Sequence, residues 1–471
     1  MRLWGGRFAH HQRDSQFENF SESFSLDQRW ITYDLRVNRA YVKALGEAKV
    51  LRAGEVRELL RGVDALGRRI ERHPDWAQGE SSEDVHTWVE ARLARQAGSI
   101  AQKLRTGRSR NDLVATEARL YVKDAVTELQ RALLELLRAL CGLARRHHDA
   151  VMPGYTHLQP AQPILFAHYL LAYFEMFCRD WGRLEDCCGR ADELPMGAGS
   201  LAGASFPIDR ARLARELGFA RVAQNSLDAT SDRDSICELL FVCALTLLHL
   251  SRLAEDLVIF SSPAFGFVEL ADAYSTGSSL MPQKRNPDAM ELIRGKAARV
   301  LGRLTGILTL LKGLPMGYNR DLQEDKAGLF DAVDTARDSL RLAARVVATL
   351  RVHPERMRAA TARGYITATD VADELVRRGV PFAEAHHQVG MLVRRCVDSG
   401  KTFAGLSPAE VQECIPSWDA TLREIAAASG KNVRRKNVLG GTAPVQVARQ
   451  IRRAEATTAR LGRLRKRIKN F

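Results

Sequence analysis

Four short segments gather polar and charged side chains in patterns that could do chemistry. Residues 277–288 read GSSLMPQKRNPD. Ser278 and Ser279 follow a glycine, Pro282 and Pro287 bracket Gln283, Lys284, Arg285 and Asn286, and a helix is predicted to follow. Asn286 suits its cap, Pro287 its first position and Asp288 its first turn. A hydroxyl, two cations and the positive end of a helix this close together suit an anion, although an ordinary capped loop would read the same way. Residues 152–163, MPGYTHLQPAQP, set His157 beside Thr156 and Gln159 in a proline-stiffened connector. A loop histidine can hold or move a proton near neutral pH, but most are plain surface residues. Residues 106–112, TGRSRND, offer two arginines with hydroxyl, amide and acid groups. They read either as a carboxylate clamp or as helix capping by Asn111 or Asp112. SSEDVH, at 81–86, is a further polar cluster that a simple N-cap would explain.

Long helices must position these segments. Residues 113–148 contain no proline and one glycine, and their leucines recur at helical spacing, which predicts about ten turns with a wide buried stripe. Further helices are predicted over 162–190, with Pro163 near the first turn, and over 236–260, 287–311 and 331–350. Helices this long joined by loops point to a bundle. Little of the chain alternates with period two; a short hairpin is expected within 196–206, where small residues cluster. The expected organisation is an N-terminal helical domain over 1–110, a central long-helix bundle over 111–360 and a C-terminal helical domain with a basic tail over 361–471.

Composition narrows the class. At 471 residues the chain is too long for one ordinary core, and its 45% apolar content is that of a globular protein. The N-terminus has no apolar run like that of a signal peptide. The most apolar stretch, 236–260, has an uncharged core too short to span a bilayer, so a buried helix and a cytoplasmic, soluble protein are expected. The eight cysteines form no C-x-x-C pair or zinc-like spacing and read as reduced, mostly buried thiols. The net charge of +14 is concentrated: residues 452–471 hold eight Lys/Arg against one Glu, a net of +7. Ile451, Ala454, Leu461, Leu464 and Ile468 share a helical face there. An amphipathic helix with a solvated basic face explains this, and a polyanion-binding tail is the sharper alternative.

Taken together, TGRSRND, GYTHLQPAQP and GSSLMPQKRNPD resemble the three signature regions of the fumarase/aspartase/argininosuccinate lyase superfamily. The finer spelling is similar to the argininosuccinate lyase family: LWGGRF at 3–8, SEDVHT at 82–87, YNRDLQEDK at 318–326, ATDVADELVRRGVPFAEAH at 368–386 and GGTAP at 440–444 follow in order. Fumarases and aspartases usually read GSSIMPGK at the serine loop. Arg285 stands where the family commonly has Lys, Trp88 follows HT where a smaller residue is usual, and the basic tail lies outside the family pattern.

The resemblance implies an all-α, three-domain protomer in a homotetramer with a twenty-helix core, each active site being built from three subunits. It implies reversible β-elimination of argininosuccinate to arginine and fumarate, the last step of arginine biosynthesis. No metal, nucleotide or other cofactor is implied; nor is a membrane or nucleic-acid partner. Removing a proton beside a carboxylate creates a dianion, so positive charge must be fixed there in advance, with an acid and a base on opposite faces. Carried over by position, Ser278 is the proton acceptor and His157 the donor to the leaving nitrogen; the reverse assignment stays open. Serine would need its alkoxide stabilised by Lys284 and backbone N–H groups. Glu291 matches the acid that pairs with the histidine. Lys284 and Asn286 match groups at the developing charge, and Ser23, Asn111, Thr156, Tyr318, Gln323 and Lys326, with Arg110, Asp84 and Arg233, match substrate-binding positions. The alternatives are a sister lyase acting on another succinyl adduct and an inactive, crystallin-like structural homologue.

Overall fold

The computed structural model describes residues 14–468; the LWGGRF segment and the last three residues of the basic tail lie outside them. In chain order the principal elements are α1 (Ile31–Glu47), α2 (Ala53–Arg72), α3 (Val85–Ala97), α4 (Arg110–Arg146), a ribbon of β1 (Val151–Thr156) and β2 (Gln159–Leu165), α5 (Phe166–Ala191), α6 (Asp234–Ser261), α7 (Asp288–Leu311), α8 (Asp325–Thr349), α9 (Ala368–Arg377), α10 (Phe382–Ser399) and α11 (Pro444–Ile468). The fold is all-α, with three two-stranded ribbons as its sheet content among the described residues.

Helix α4 forms because its start is capped and its interior is leucine-rich. Ser109 is the N-cap, and Asp112 returns a carboxylate to the Ser109 N–H at 2.9 Å. Asp112 thus closes the cap while Ser109, rather than Asn111 or Asp112, occupies the cap position. Leu129, Leu133, Leu136, Leu137 and Leu140 are buried against α5, α8 and α11. Truncating one of them to alanine would cost about 2–5 kcal/mol. Helix α6 is the one described helix long and apolar enough to cross a membrane by length and composition. It runs through the bundle instead, packed by α4, α5, α7 and α8.

Among the described residues three large hydrophobic cores result, with a small fourth cluster of Ala198, Ala223 and Ala229. The largest joins α4 to α8 and takes in Val447, Ile451, Ala454 and Leu461 of α11. A second lies under α1, α2 and α3 and reaches Leu113, Leu120 and the 194–219 region. A third joins α9 and α10 to Trp418 and Leu422. The last helix therefore packs on the bundle, its apolar stripe inward and Arg452, Arg453, Arg460 and Arg463 exposed.

Several expected boundaries move. Helix α5 begins at Phe166, not at 162, because Gln159–Leu165 pairs antiparallel with Val151–Thr156 and Pro163 sits in that ladder opposite Pro153. The hairpin expected within 196–206 does not form. Gly197, Gly199 and Gly203 adopt positive φ there, and the loop folds around Asp112, whose Oδ2 accepts the N–H groups of Gly197 at 3.0 Å and Gly199 at 2.9 Å. Helix α8 starts six residues earlier than the periodicity suggests, at Asp325, so Lys326 lies in its first turn. Helix α7 starts at Asp288, and Asn286 does not cap it; Asn286 instead makes a bridge to Thr276, with backbone hydrogen bonds of 2.8 and 3.2 Å.

Candidate active site

The expected site residues fall into two groups at opposite ends of the bundle. The first group surrounds the starts of α3, α4 and α8. Asp84 caps α3, accepting the Thr87 N–H at 2.7 Å, and the Arg110 guanidinium reaches Asp84 Oδ2 at 3.0 Å, Thr87 Oγ1 at 3.0 Å and Glu83 Oε1 at 3.3 Å. Burial opposes the Asp84 charge, but the charges of His86 and Arg110 and the Thr87 hydrogen bonds outweigh it, so this carboxyl is held below its usual range. Asn111 donates to the Ser200 carbonyl at 3.1 Å. Ser23 donates to Asp27 Oδ2 at 2.6 Å, while its N–H donates to the Glu83 carbonyl at 3.0 Å.

Lys326 is buried, with Nζ 3.6 Å from Asp27 Oδ1 and 3.9 Å from Asp325 Oδ1. Burial works against its charge, yet Asp325 and Asp27 raise it above the usual range. Arg233 donates from Nε to Asp325 Oδ2 at 2.6 Å, and its buried Nη2 has no hydrogen-bond partner among the described residues. Gln323 donates to the Ser21 carbonyl at 3.3 Å. Burial pushes the Tyr318 phenol up, against the opposing charges of Lys326 and Arg233. Ser23, Asp84, Arg110, Asn111, Arg233, Tyr318, Gln323 and Lys326 thus share one neighbourhood, rich in donors, whose cations are paired with Glu83, Asp84, Asp27 and Asp325.

The second group lies at the other end. His157 and Leu158 form the two-residue turn of the β1–β2 ribbon, with φ of 56° and 57°. Both residues are left-handed, as a type I′ hairpin turn requires, a conformation that usually selects Asn and Gly. Non-glycine residues held there store strain, and such strain clusters at functional positions. His157 and Thr156 are exposed. In the serine loop, Ser278 Oγ accepts the N–H of Leu280 at 3.2 Å and of Met281 at 3.1 Å. Two donors aimed at one hydroxyl oxygen favour its alkoxide. Lys284 and Glu291 are exposed, and no hydrogen bond among the described residues joins Glu291 to His157 or Lys284 to Ser278.

Helix length fixes the separation. Lys326 sits in the first turn of α8. The serine loop is anchored beyond that helix's last turn, where Arg285 binds Glu269 and Val268–Glu269 pairs with Arg351–Val352. The 25 residues of α8 span about 37 Å at about 1.5 Å per residue. The 37 residues of α4 place His157, beyond its C-terminus, about 55 Å from Arg110.

A family model described as "Lyase" matches residues 6–302, and one described as "Argininosuccinate lyase C-terminal" matches 365–430. The argininosuccinate lyase of Chloroflexus aggregans is 50% identical over 453 residues, covering 96% of this chain and 97% of that protein. The chain belongs to the argininosuccinate lyase family. A family member from Moorella thermoacetica is 46% identical over 98% of both chains. Among solved structures, EDDS lyase in complex with formate superposes with a TM-score of 0.85 at 29% identity, covering 98% of this chain and 93% of that one. A class II fumarase from Schistosoma mansoni shares the fold, with a TM-score of 0.70 at 16% identity, over 84% of this chain and 92% of that one.

For this argininosuccinate lyase family member, sequence reading missed Asp27 and Asp325, the two acids that hold Lys326 and Arg233. Asp325 stands inside YNRDLQEDK and could have been suspected from that motif; Asp27 carries no sequence signal. Thr87 and Glu83, which grip Arg110, both stand within SEDVHT. The unusual Trp88 is accommodated: it is buried, stacks on Phe24 with ring centroids 5.6 Å apart and donates to Glu80 at 2.7 Å.

Proposed function

We propose that this protein catalyses the reversible β-elimination of argininosuccinate to arginine and fumarate, as the last step of arginine biosynthesis. One observation carries the reading: in a chain similar end to end to argininosuccinate lyases, the Ser278 hydroxyl oxygen already receives two backbone N–H groups. As alkoxide, Ser278 takes the proton from the carbon beside the succinyl carboxylate. The electron pair is held as a dianion facing Lys284 and Asn286, then expels the guanidino nitrogen. His157, oriented by Glu291, gives that nitrogen its proton, so arginine and fumarate leave and the charges balance. Ser23, Asp84, Arg110, Asn111, Thr156, Arg233, Tyr318, Gln323 and Lys326 bind the substrate. No cofactor enters this scheme.

In this reading the two groups of residues come from different protomers; their separation of about 37–55 Å within one chain supports it. A homotetramer with a twenty-helix core satisfies this, five long helices coming from each chain. Helices α6 and α7 present apolar residues seven apart: Phe241 and Leu248 are 49% and 50% exposed, Leu301 and Leu308 56% and 52%. That spacing makes a seam for a partner helix. Within each protomer the proposed domains run over 1–110, 111–360 and 361–471, with the second core drawing in Leu113, Leu120 and the 194–219 region and α11 packing on the central bundle. Eight free cysteines fit a reducing cytoplasm.

Incubation with argininosuccinate, read by fumarate absorbance, tests the activity. Fumarate release is expected; turnover of adenylosuccinate or malate in its place would overturn the substrate.

A further inference from the structure

Behind the Asp84–Arg110 contact lies a buried cluster that the mechanism above does not use. His86 Nδ1 is 2.7 Å from Asp34 Oδ2 and 3.6 Å from Glu117 Oε1. Asp34 and Glu117 are 0% exposed and His86 3%. Asp34 Oδ1 also accepts from Asn38, whose own oxygen accepts from Arg108 at 2.5 Å. Glu117 stands on α4, two turns beyond Arg110, and neither of its carboxyl oxygens receives an N–H or O–H from a donor among the described residues.

Two ionised carboxylates side by side in a dry interior, one of them without a donor, are too costly to persist, and the usual outcome is that one keeps its proton. A divalent cation is the rival occupant, since one ligand atom from each of Asp34, His86 and Glu117 falls within 4.8 Å of the others. The 2.7 Å contact favours a hydrogen bond over a shared metal: with the proton on Nδ1, His86 donates to Asp34, and that nitrogen has no lone pair to give a cation.

We propose that Glu117 is a neutral carboxylic acid whose hydroxyl donates to Asp34, and that the Glu117–Asp34–His86 chain is a positioning unit that holds the 83–87 turn against Arg110. The proposal rests on the reading of Asp84 and Arg110 as substrate-binding residues. The chain links three elements: Glu117 on α4, Asp34 on α1 and His86 in the first turn of α3. Asp84 and Thr87 flank His86 and grip Arg110, so the register between α3 and α4 passes through it. The surrounding charges agree. Burial, the Asp34 charge and hydrogen bond, and Asp27 all push the Glu117 carboxyl well up, with Arg108 opposing. Burial opposes the His86 charge, but the Asp34 hydrogen bond and the charges of Asp84, Asp34 and Asp27 raise it.

The test compares the full-length wild type, Glu117→Gln and Glu117→Ala by argininosuccinate kinetics, bound-metal content and infrared difference spectra. A glutamine amide is neutral and donates as the acid does. Glu117→Gln should therefore keep kcat/KM within about threefold, while Glu117→Ala should raise KM about tenfold with a smaller change in kcat. The wild-type minus Glu117→Gln spectrum should contain a protonated-carboxyl C=O band at neutral pH. A Gln variant as impaired as the Ala variant, a missing band, or stoichiometric metal lost on substitution would each overturn the proposal. If the wild type releases no fumarate, the functional reading fails, and the band and metal content still decide the state of Glu117.

Discussion

Arg285 donates to Glu269 Oε1 at 2.6 Å, and a second guanidinium nitrogen lies 3.0 Å from Asp272 and donates to the Leu270 carbonyl. The cation next to Lys284 therefore faces the base of the serine loop rather than its mouth. The hydrogen bond from Arg285 is also the main reason that the Glu269 carboxyl is held below its usual range. This explains why arginine is tolerated where the family commonly has lysine: the position anchors the loop, and a forked guanidinium does so on three acceptors at once. Arg285→Lys should cost only a few-fold in kcat. Arg285→Ala should cost about tenfold to a hundredfold, because a loop displaced by about an ångström misplaces Ser278. Steady-state kinetics check both, and unchanged turnover in Arg285→Ala would show that the loop is held by something else.

Ser278→Ala and His157→Asn should each lower turnover by about a hundredfold to ten-thousandfold, the range of a lost general acid or base. Both residues stand in tight turns outside the hydrophobic cores, so circular dichroism and oligomer size should stay at wild-type values. Near-normal turnover in either variant would remove that residue from the chemistry.

Much of this was legible in the sequence because it is periodic or local. The leucines of α4 repeat at helical spacing, and SEDVHT and TGRSRND do stand at helix starts. The misreadings share a cause. Proline suits a first turn, so spacing puts Pro163 in a helix, yet strand pairing with 151–156 claims it. The small residues around 197–203 suggest a hairpin, yet the N–H groups of Gly197 and Gly199 are taken by Asp112, about 85 residues earlier in sequence. Long-range hydrogen bonding decided both, and spacing does not encode it. The strained His157–Leu158 turn is another case: neither residue type announces positive φ.

The buried histidine gives a pH prediction. His86 is raised above its ordinary value in the fold, by the Asp34 hydrogen bond and nearby carboxylates acting against burial. A raised histidine contributes stability that is fully present below its unfolded value of about 6.5 and is lost as pH rises through the folded value. The melting temperature of wild type should therefore exceed that of His86→Gln most at about pH 6, and the gap should narrow on the alkaline side. A gap that is constant with pH, or that widens above neutrality, would mean that His86 is uncharged in the folded protein.

The separation of the two residue groups gives the most decisive prediction. Lys326 stands at one end of α8 and the serine loop at the other, about 37 Å away. Lys326→Ala and Ser278→Ala should each be inactive alone. If a site draws these residues from different protomers, a mixed assembly contains some sites with both residues intact. Denaturing and refolding the two variants together should then restore part of the wild-type fumarate release, whereas mixing them without subunit exchange should not. Mixed assemblies confirmed by differential tagging but still inactive would mean that each protomer builds its own site, and the chain would have to bend its bundle to do so.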